Sequence, residues 1–195
     1  MHHTIKPALL AGVLFFGALG MAHAEKADST KPTLIEADQG TADEVKQTRT
    51  LTGNVVLTRG TLVMKAGRAL VTEDPQGYQF VTFWAAPGAL ATFRQKRDGG
   101  DLWIEGEAER IEYDTKAEMV KLFSRSVLKR LEGTKLTDEV QGQFISYDSR
   151  KEFFSVENSV SGESKPGGGR VKMVLQPKNA PAAPAPAPVP APAGK

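Results

Sequence analysis

LTGNVVLTRGTLVMKAGRALVTED, residues 51–74, alternates apolar and polar side chains. Val55 and Leu57, Leu62 and Met64, and Ala69 and Val71 recur at every second position, with Asn54, Thr58, Arg59, Lys65 and Arg68 between or beside them. Successive side chains of an extended chain point to opposite sides, so a period of two marks a β-strand with one greasy face. Gly53, Gly60 and Gly67 cut the run as tight reversals or bulges would, which predicts three short antiparallel strands in a meander. The apolar faces must touch something: each other, as an ordinary core, or a greasy cargo.

The same pattern fills the chain. Residues 33–175 hold about sixteen short alternating runs, such as TLIEA (33–37), GYQFVTF (77–83), DLWIE (101–105), EMVKL (118–122) and QFISY (143–147), at the spacing of an all-β sandwich, barrel or jelly roll. There is also an echo: IEYDTKAEMVKL (111–122) matches ISYDSRKEFFSV (145–156), with VTED (71–74) a weaker copy. Units two hairpins long stack along an axis, each leaving a greasy face for the next to cover. Within each copy Ile and Tyr are two apart and share a face, and the following Asp114 or Asp148 is placed to begin a turn.

The ends differ from this middle. MHHTIK, then PALLAGVLFFGALGM, then AHA before Glu25 has the form of a Sec-type signal peptide over residues 1–24, cleaved after Ala24. Its apolar run is shorter than the roughly 20 residues of a spanning helix. Residues 25–31 are expected to be flexible and 32–177 to form one folded domain. Residues 178–195, with six of the chain's 12 prolines, are expected to be a disordered Pro/Ala-rich tail.

Composition excludes whole classes of chemistry. Cleavage after Ala24 would remove His2, His3 and His23, all 3 histidines, and the chain has 0 cysteines. A mature protein with neither residue has no disulfide, no Cys/His zinc site and no His-based nucleophile, so no metal and no cofactor is expected. The leader carries one of the 25 Lys+Arg and none of the 23 Asp+Glu, which leaves a nearly neutral protein with no bulk attraction to nucleic acid. Carboxylates gather only in EGEAERIEYD (105–114), where Glu105, Glu107 and Glu109 would share a strand face. A paired-carboxylate glycan hydrolase would use such a set, but a solvated strand face is the plainer reading. RQKR (94–97) is read as solvated too, with Trp84, Trp103, Phe153 and Phe154 as core residues.

Taken in order, the apolar leader, PTLIEAD (32–38), TGNVVLTRG (52–60), ATFRQ (91–95) and EGEAERIEYD (105–114) resemble the OstA family of periplasmic lipopolysaccharide transport proteins. The likeness covers residues 32 to about 155. It departs at LFSRSV (122–127), where a second L-x-G-N is usual, and at the long KLTDEVQGQFISYD (135–148). The resemblance implies a single-domain β-jellyroll of about sixteen antiparallel strands, open at both ends. It implies a non-enzymatic carrier that binds lipopolysaccharide by its lipid A acyl chains and bridges the periplasm. Its partners would be an LptC-like inner-membrane protein, an LptD-like outer-membrane protein and further copies of itself joined head to tail. An inner-membrane ATPase would supply direction, since no nucleotide-binding motif is present.

Matching the family's inner face while keeping the alternation gives twelve groove-lining candidates: Thr33, Ile35, Val55, Leu57, Leu62, Met64, Phe93, Ile111, Tyr113, Leu122, Ile145 and Tyr147. The physics fits. At about 0.8 kcal/mol per CH₂, one acyl chain of a dozen carbons costs roughly 10 kcal/mol to wet, so a shared apolar groove removes a barrier that free diffusion cannot cross. The rival to this reading and to the hydrolase is an outer-membrane β-barrel, which would need a lipid-facing band where ERIEY (109–113) and SVLKR (126–130) instead carry charge.

Overall fold

The computed structural model describes residues 28–177; the leader and the Pro/Ala-rich tail lie outside them. Every regular element among these is a strand: β1 Leu34–Glu36, β2 Gln39–Asp43, β3 Thr48–Arg59, β4 Leu62–Glu73, β5 Gln79–Trp84, β6 Ala91–Lys96, β7 Leu102–Ala108, β8 Arg110–Asp114, β9 Met119–Glu132, β10 Lys135–Asp148, β11 Phe153–Glu157 and β12 Lys172–Leu175. All pairings are antiparallel, in one continuous sheet with the main order β1-β3-β4-β5-β8-β9-β10-β11.

Four long strands give this sheet its shape. β3, β4, β9 and β10 each change neighbours halfway: β4 pairs β6 through residues 63–65 and β5 through 68–73, and β9 pairs β8 through 119–123 and β7 through 127–132. β3 likewise serves β2 and then β1, and β10 serves β12 and then β11. Each long strand therefore runs through two leaves. Leaf A is β2, β5, β8, β11 and one half of each long strand; leaf B is β1, β6, β7, β12 and the other halves. Counted by halves, the twelve strands are sixteen segments, eight to a leaf, which matches the count of alternating runs and the jellyroll that the family resemblance implies. The runs in 118–130 and in 135–148 are continuous strands because a change of neighbour leaves no gap in the backbone.

The predicted three-strand meander is corrected in the same way. Gly60 is the tight reversal between β3 and β4, at φ +60°, but Gly67 lies within continuous β4. Gly53 is part of a bulge: Gly53 and Asn54, at φ 81° and 44°, stand where the register of β3 against β4 shifts. Ser124 and Arg125, at φ 62° and 51°, do the same on β9 where its register against β10 shifts. Extra residues on one strand bend it and strengthen its twist, so these two bulges set the fold between the leaves. LFSRSV thus takes the backbone path of LTGNVV without a glycine.

The far ends of leaf A follow one plan. Asp43, Asp114 and Asp148 end their strands and Asp74 directly follows β4, and the Oδ1 of each accepts from backbone N–H groups of the turn that follows, as in Asp114 with Lys116 at 2.8 Å and Ala117 at 2.9 Å. The turns close on Gln47, Gly77, Glu118 and Glu152 in the left-handed conformation. This is the structural content of the sequence echo, with aspartate supplying the local acceptor that a tight turn needs.

Candidate functional site

The inward faces of the two leaves meet in one apolar cluster. Val55, Leu57, Leu62, Met64, Phe93, Ile104 and Leu128 come from leaf B, and Val81, Phe83, Ile111, Tyr113, Val120, Leu122, Ile145 and Tyr147 from leaf A, all at most 6 % exposed. Alternation places them there: along β4 the burial pattern switches at every residue from Leu62 to Met64 and again from Ala69 to Val71. Of the twelve candidates, ten are in this cluster, Ile35 packs against it half-buried, and Thr33 lies half-exposed just before β1.

Contacts between leaves are made by side chains. The rings of Phe93 and Tyr147 stack, and a Cβ built on Gly106 of β7 would lie 2.2 Å from Phe93 and 2.9 Å from Leu122, so the absent side chain is what lets β7 approach the opposite leaf. Burial pushes the Tyr113 phenol above its ordinary value, opposed by the nearby Arg59 guanidinium, which donates to its hydroxyl at 3.2 Å. The phenol therefore stays neutral at physiological pH.

The side where the leaves part, here called the mouth, holds polar groups that no sequence pattern marked. Arg59 at the end of β3 in leaf B reaches Tyr113 of leaf A. Arg97, just past β6 in leaf B, donates to Glu152 in the β10–β11 turn of leaf A. Asp28 is buried there at 5 % exposure, accepting from Thr61 N at 2.7 Å, Thr61 Oγ1 at 2.6 Å and Gln95 Nε2 at 3.1 Å, while Arg59 also donates to Ser29 O. Single charged residues in irregular segments carry no periodic signal, so these were legible only in three dimensions.

The outer faces correct one expectation. Trp84 and Trp103 are half-buried on the outside rather than in the core: the guanidinium of Arg68 lies 4.9 Å from the Trp84 ring and that of Arg94 4.2 Å from the Trp103 ring. The Trp103 indole N–H donates to Asp101 at 2.7 Å, which a sealed apolar core would not permit so cheaply. Phe153 is also exposed, at 62 %. Three carboxylates of the acidic block each have a cation: Glu105 pairs with Arg94, Glu107 with Lys129 at 3.8 Å and Glu109 with Arg125 at 2.7 Å. Among the described residues no group of acids could hold a metal ion, and no helix is long and apolar enough to cross a membrane.

At both ends of the sheet the outermost strands have one partner each among the described residues: β1 and β2 pair only β3, and β11 and β12 only β10. β12 is exposed along its whole length, with Met173 at 53 % and Leu175 at 68 %.

A folded sheet whose two greasy faces close on each other, with single-partner edge strands at both ends among the described residues, defines a two-leaved β-jellyroll with an apolar interior. Comparison with known proteins gives the family: the chain belongs to the LptA/(LptD N-terminal domain) LPS transport protein family, whose model matches residues 34–153. It is 30 % identical over 160 residues to the lipopolysaccharide export system protein LptA of Haemophilus influenzae, covering 82 % of this chain and 86 % of the relative. It is 33 % identical over 126 residues to the protein of that name from Escherichia coli K12, covering 65 % of this chain and 64 % of the relative. The crystal structure of LptH, described as the LptA homologous periplasmic component of the lipopolysaccharide transport device of Pseudomonas aeruginosa, has the same fold, with a TM-score of 0.67 at 21 % identity over 77 % of this chain and 99 % of that one.

Proposed function

We propose that this protein is a periplasmic carrier of lipopolysaccharide, exported by its leader and cleaved after Ala24. It holds the lipid A acyl chains between its leaves and passes them from an LptC-like protein at the inner membrane to an LptD-like protein at the outer membrane, directly or through copies of itself joined head to tail. One observation supports this above the others: the apolar faces of both leaves form a single band, held shut on the mouth side by side chains rather than by backbone. Parting the leaves and inserting acyl chains exchanges one apolar contact for another, so filling the cleft recovers the roughly 25 cal/mol per Å² that parting exposes. The single-partner edge strands at both ends fit strand addition by a neighbour, a heterologous contact that propagates. Names of relatives from two organisms point the same way.

Photo-crosslinking tests the reading. A photoreactive residue at Thr33, Phe93 or Tyr113 is expected to capture lipopolysaccharide, and one at Glu112 or Lys116, on the outer face and a turn, is not. Equal capture at all five positions overturns the assignment of the inner face.

A further inference from the structure

The topology restricts where the bulky head of the cargo can travel. Every connection between the leaves among the described residues runs along the fold: β3, β4, β9 and β10 pass through it, and the β1–β2, β5–β6, β7–β8 and β11–β12 links lie beside it. The turns at the opposite side, residues 44–47, 74–78, 115–118 and 149–152 of leaf A and 60–61, 97–101 and 133–134 of leaf B, each join strands of the same leaf. No described link between strands therefore crosses the mouth. A lipid whose chains lie between the leaves and whose hydrated sugar stays in water must project through this slot and slide along it. Any bond across the slot lies in its path.

Among the described residues two arginines make such bonds, and both are built in. Arg97 is mostly buried, its side chain 14 % exposed, and donates across the slot to Glu152. Arg59 donates at one end to the Tyr113 hydroxyl and at the other to Ser29 O. The Asp28–Lys31 turn that carries Ser29 is closed by Lys31 N donating to Asp28 O at 3.0 Å and is pinned to leaf B by the three bonds to the Asp28 carboxylate. Gly60 leaves room for it: a Cβ there would lie 2.0 Å from Asp28 Oδ1. The Nε of both arginines is buried without a hydrogen-bond partner, so each guanidinium is held by its terminal nitrogens alone.

Resting on the carrier reading above, we propose that Arg59–Tyr113 and Arg97–Glu152 are clasps across the headgroup slot, which open when lipopolysaccharide enters and passes, with the Asp28 turn as the positioning element of the first. The sheet supplies a rigid fold and a soft mouth. Closure between passages keeps the band of apolar side chains out of water, where an exposed apolar surface this long would aggregate.

The test uses the mature chain, which has no cysteine of its own beyond those introduced. Arg97→Cys and Glu152→Cys are combined with a photoreactive residue at Phe93. One sample is capped with N-ethylmaleimide and the other bridged with a bis-maleimide, and far-UV circular dichroism checks that both keep the sheet. The capped protein is expected to capture lipopolysaccharide several-fold faster than the parent with its clasp intact, and the bridged protein at least tenfold less. Equal capture by capped and bridged protein overturns the clasp and leaves the carrier reading standing. Capture by neither overturns the carrier reading and the clasp with it. Arg59→Gln should likewise speed capture, and an unchanged rate removes Arg59 from the mechanism.

Discussion

The rings of Phe93 and Tyr147, one from each leaf, stack with centroids 6.4 Å apart and 22° between their planes. Both are nearly or wholly buried, so this pair reports whether the leaves are together. Phe93→Ala leaves a void on the leaf B side and is expected to lower the unfolding free energy by about 3 kcal/mol, at the lower end of Phe→Ala costs in cores. A shift of the urea midpoint at constant slope would show it.

Gly106 faces the same ring. Gly106→Ala puts a methyl group 2.2 Å from Phe93 Cε1 and 2.9 Å from Leu122 Cδ2, so β7 or the ring must move. Overpacking of this kind costs about 1–3 kcal/mol. Adding Phe93→Leu should recover part of the loss, and a double-mutant cycle on urea midpoints measures the coupling. Additive effects would mean that the ring is not what the methyl group meets.

Much of the fold was legible because alternation is a direct print of the pleat. The inner face from Val55 to Met64 and from Ile111 to Tyr113 follows from position parity alone, and Asp114 and Asp148 do begin turns. What alternation cannot carry is a bend without a gap. Gly67 looks like a strand break in sequence yet lies in continuous β4, while Ser124 and Arg125, which carry no glycine signal, form a bulge. Aromatic content misled at Trp103, whose ring is covered by a cation instead of a core. The mouth was illegible because Arg59, Arg97, Asp28 and Glu152 come together from separate turns.

The Ser124 bulge gives a stabilising prediction. Ser124 and Arg125 hold left-handed angles at the place where the other bulge uses Gly53. A residue with a Cβ pays roughly 1–2 kcal/mol there, and glycine gives back up to about 1 kcal/mol through the extra freedom of the unfolded chain. Ser124→Gly is therefore expected to raise stability by about 0.5 kcal/mol, whereas a serine-to-glycine change at an ordinary strand position would lower it. A thermal melt that moves downward would show that the serine side chain does work at the fold beyond its backbone.

The pH profile follows from two buried groups of opposite sense. Burial alone would raise the Asp148 pKa, but the Lys151 side chain at 3.0 Å, its backbone N–H at 3.2 Å and nearby Arg150 outweigh it and hold the carboxyl below its ordinary value. A folded carboxyl that gives up its proton more readily than the unfolded one contributes stability above the unfolded pKa of about 3.9, and that contribution fades as pH falls through the lower folded value. Asp43, held down chiefly by the Lys46 backbone N–H, adds in the same direction. Tyr113 runs the other way: with its pKa raised by burial, it contributes stability below the unfolded value of about 10, and that contribution fades as pH rises through the folded one. Urea midpoints should thus fall on both sides of a neutral plateau. Asp148→Asn should flatten the acid limb in part, leaving the share due to Asp43, and Tyr113→Phe should flatten the alkaline limb. An alkaline limb unchanged in Tyr113→Phe would mean that the phenol is solvated in solution and the mouth stands open at rest.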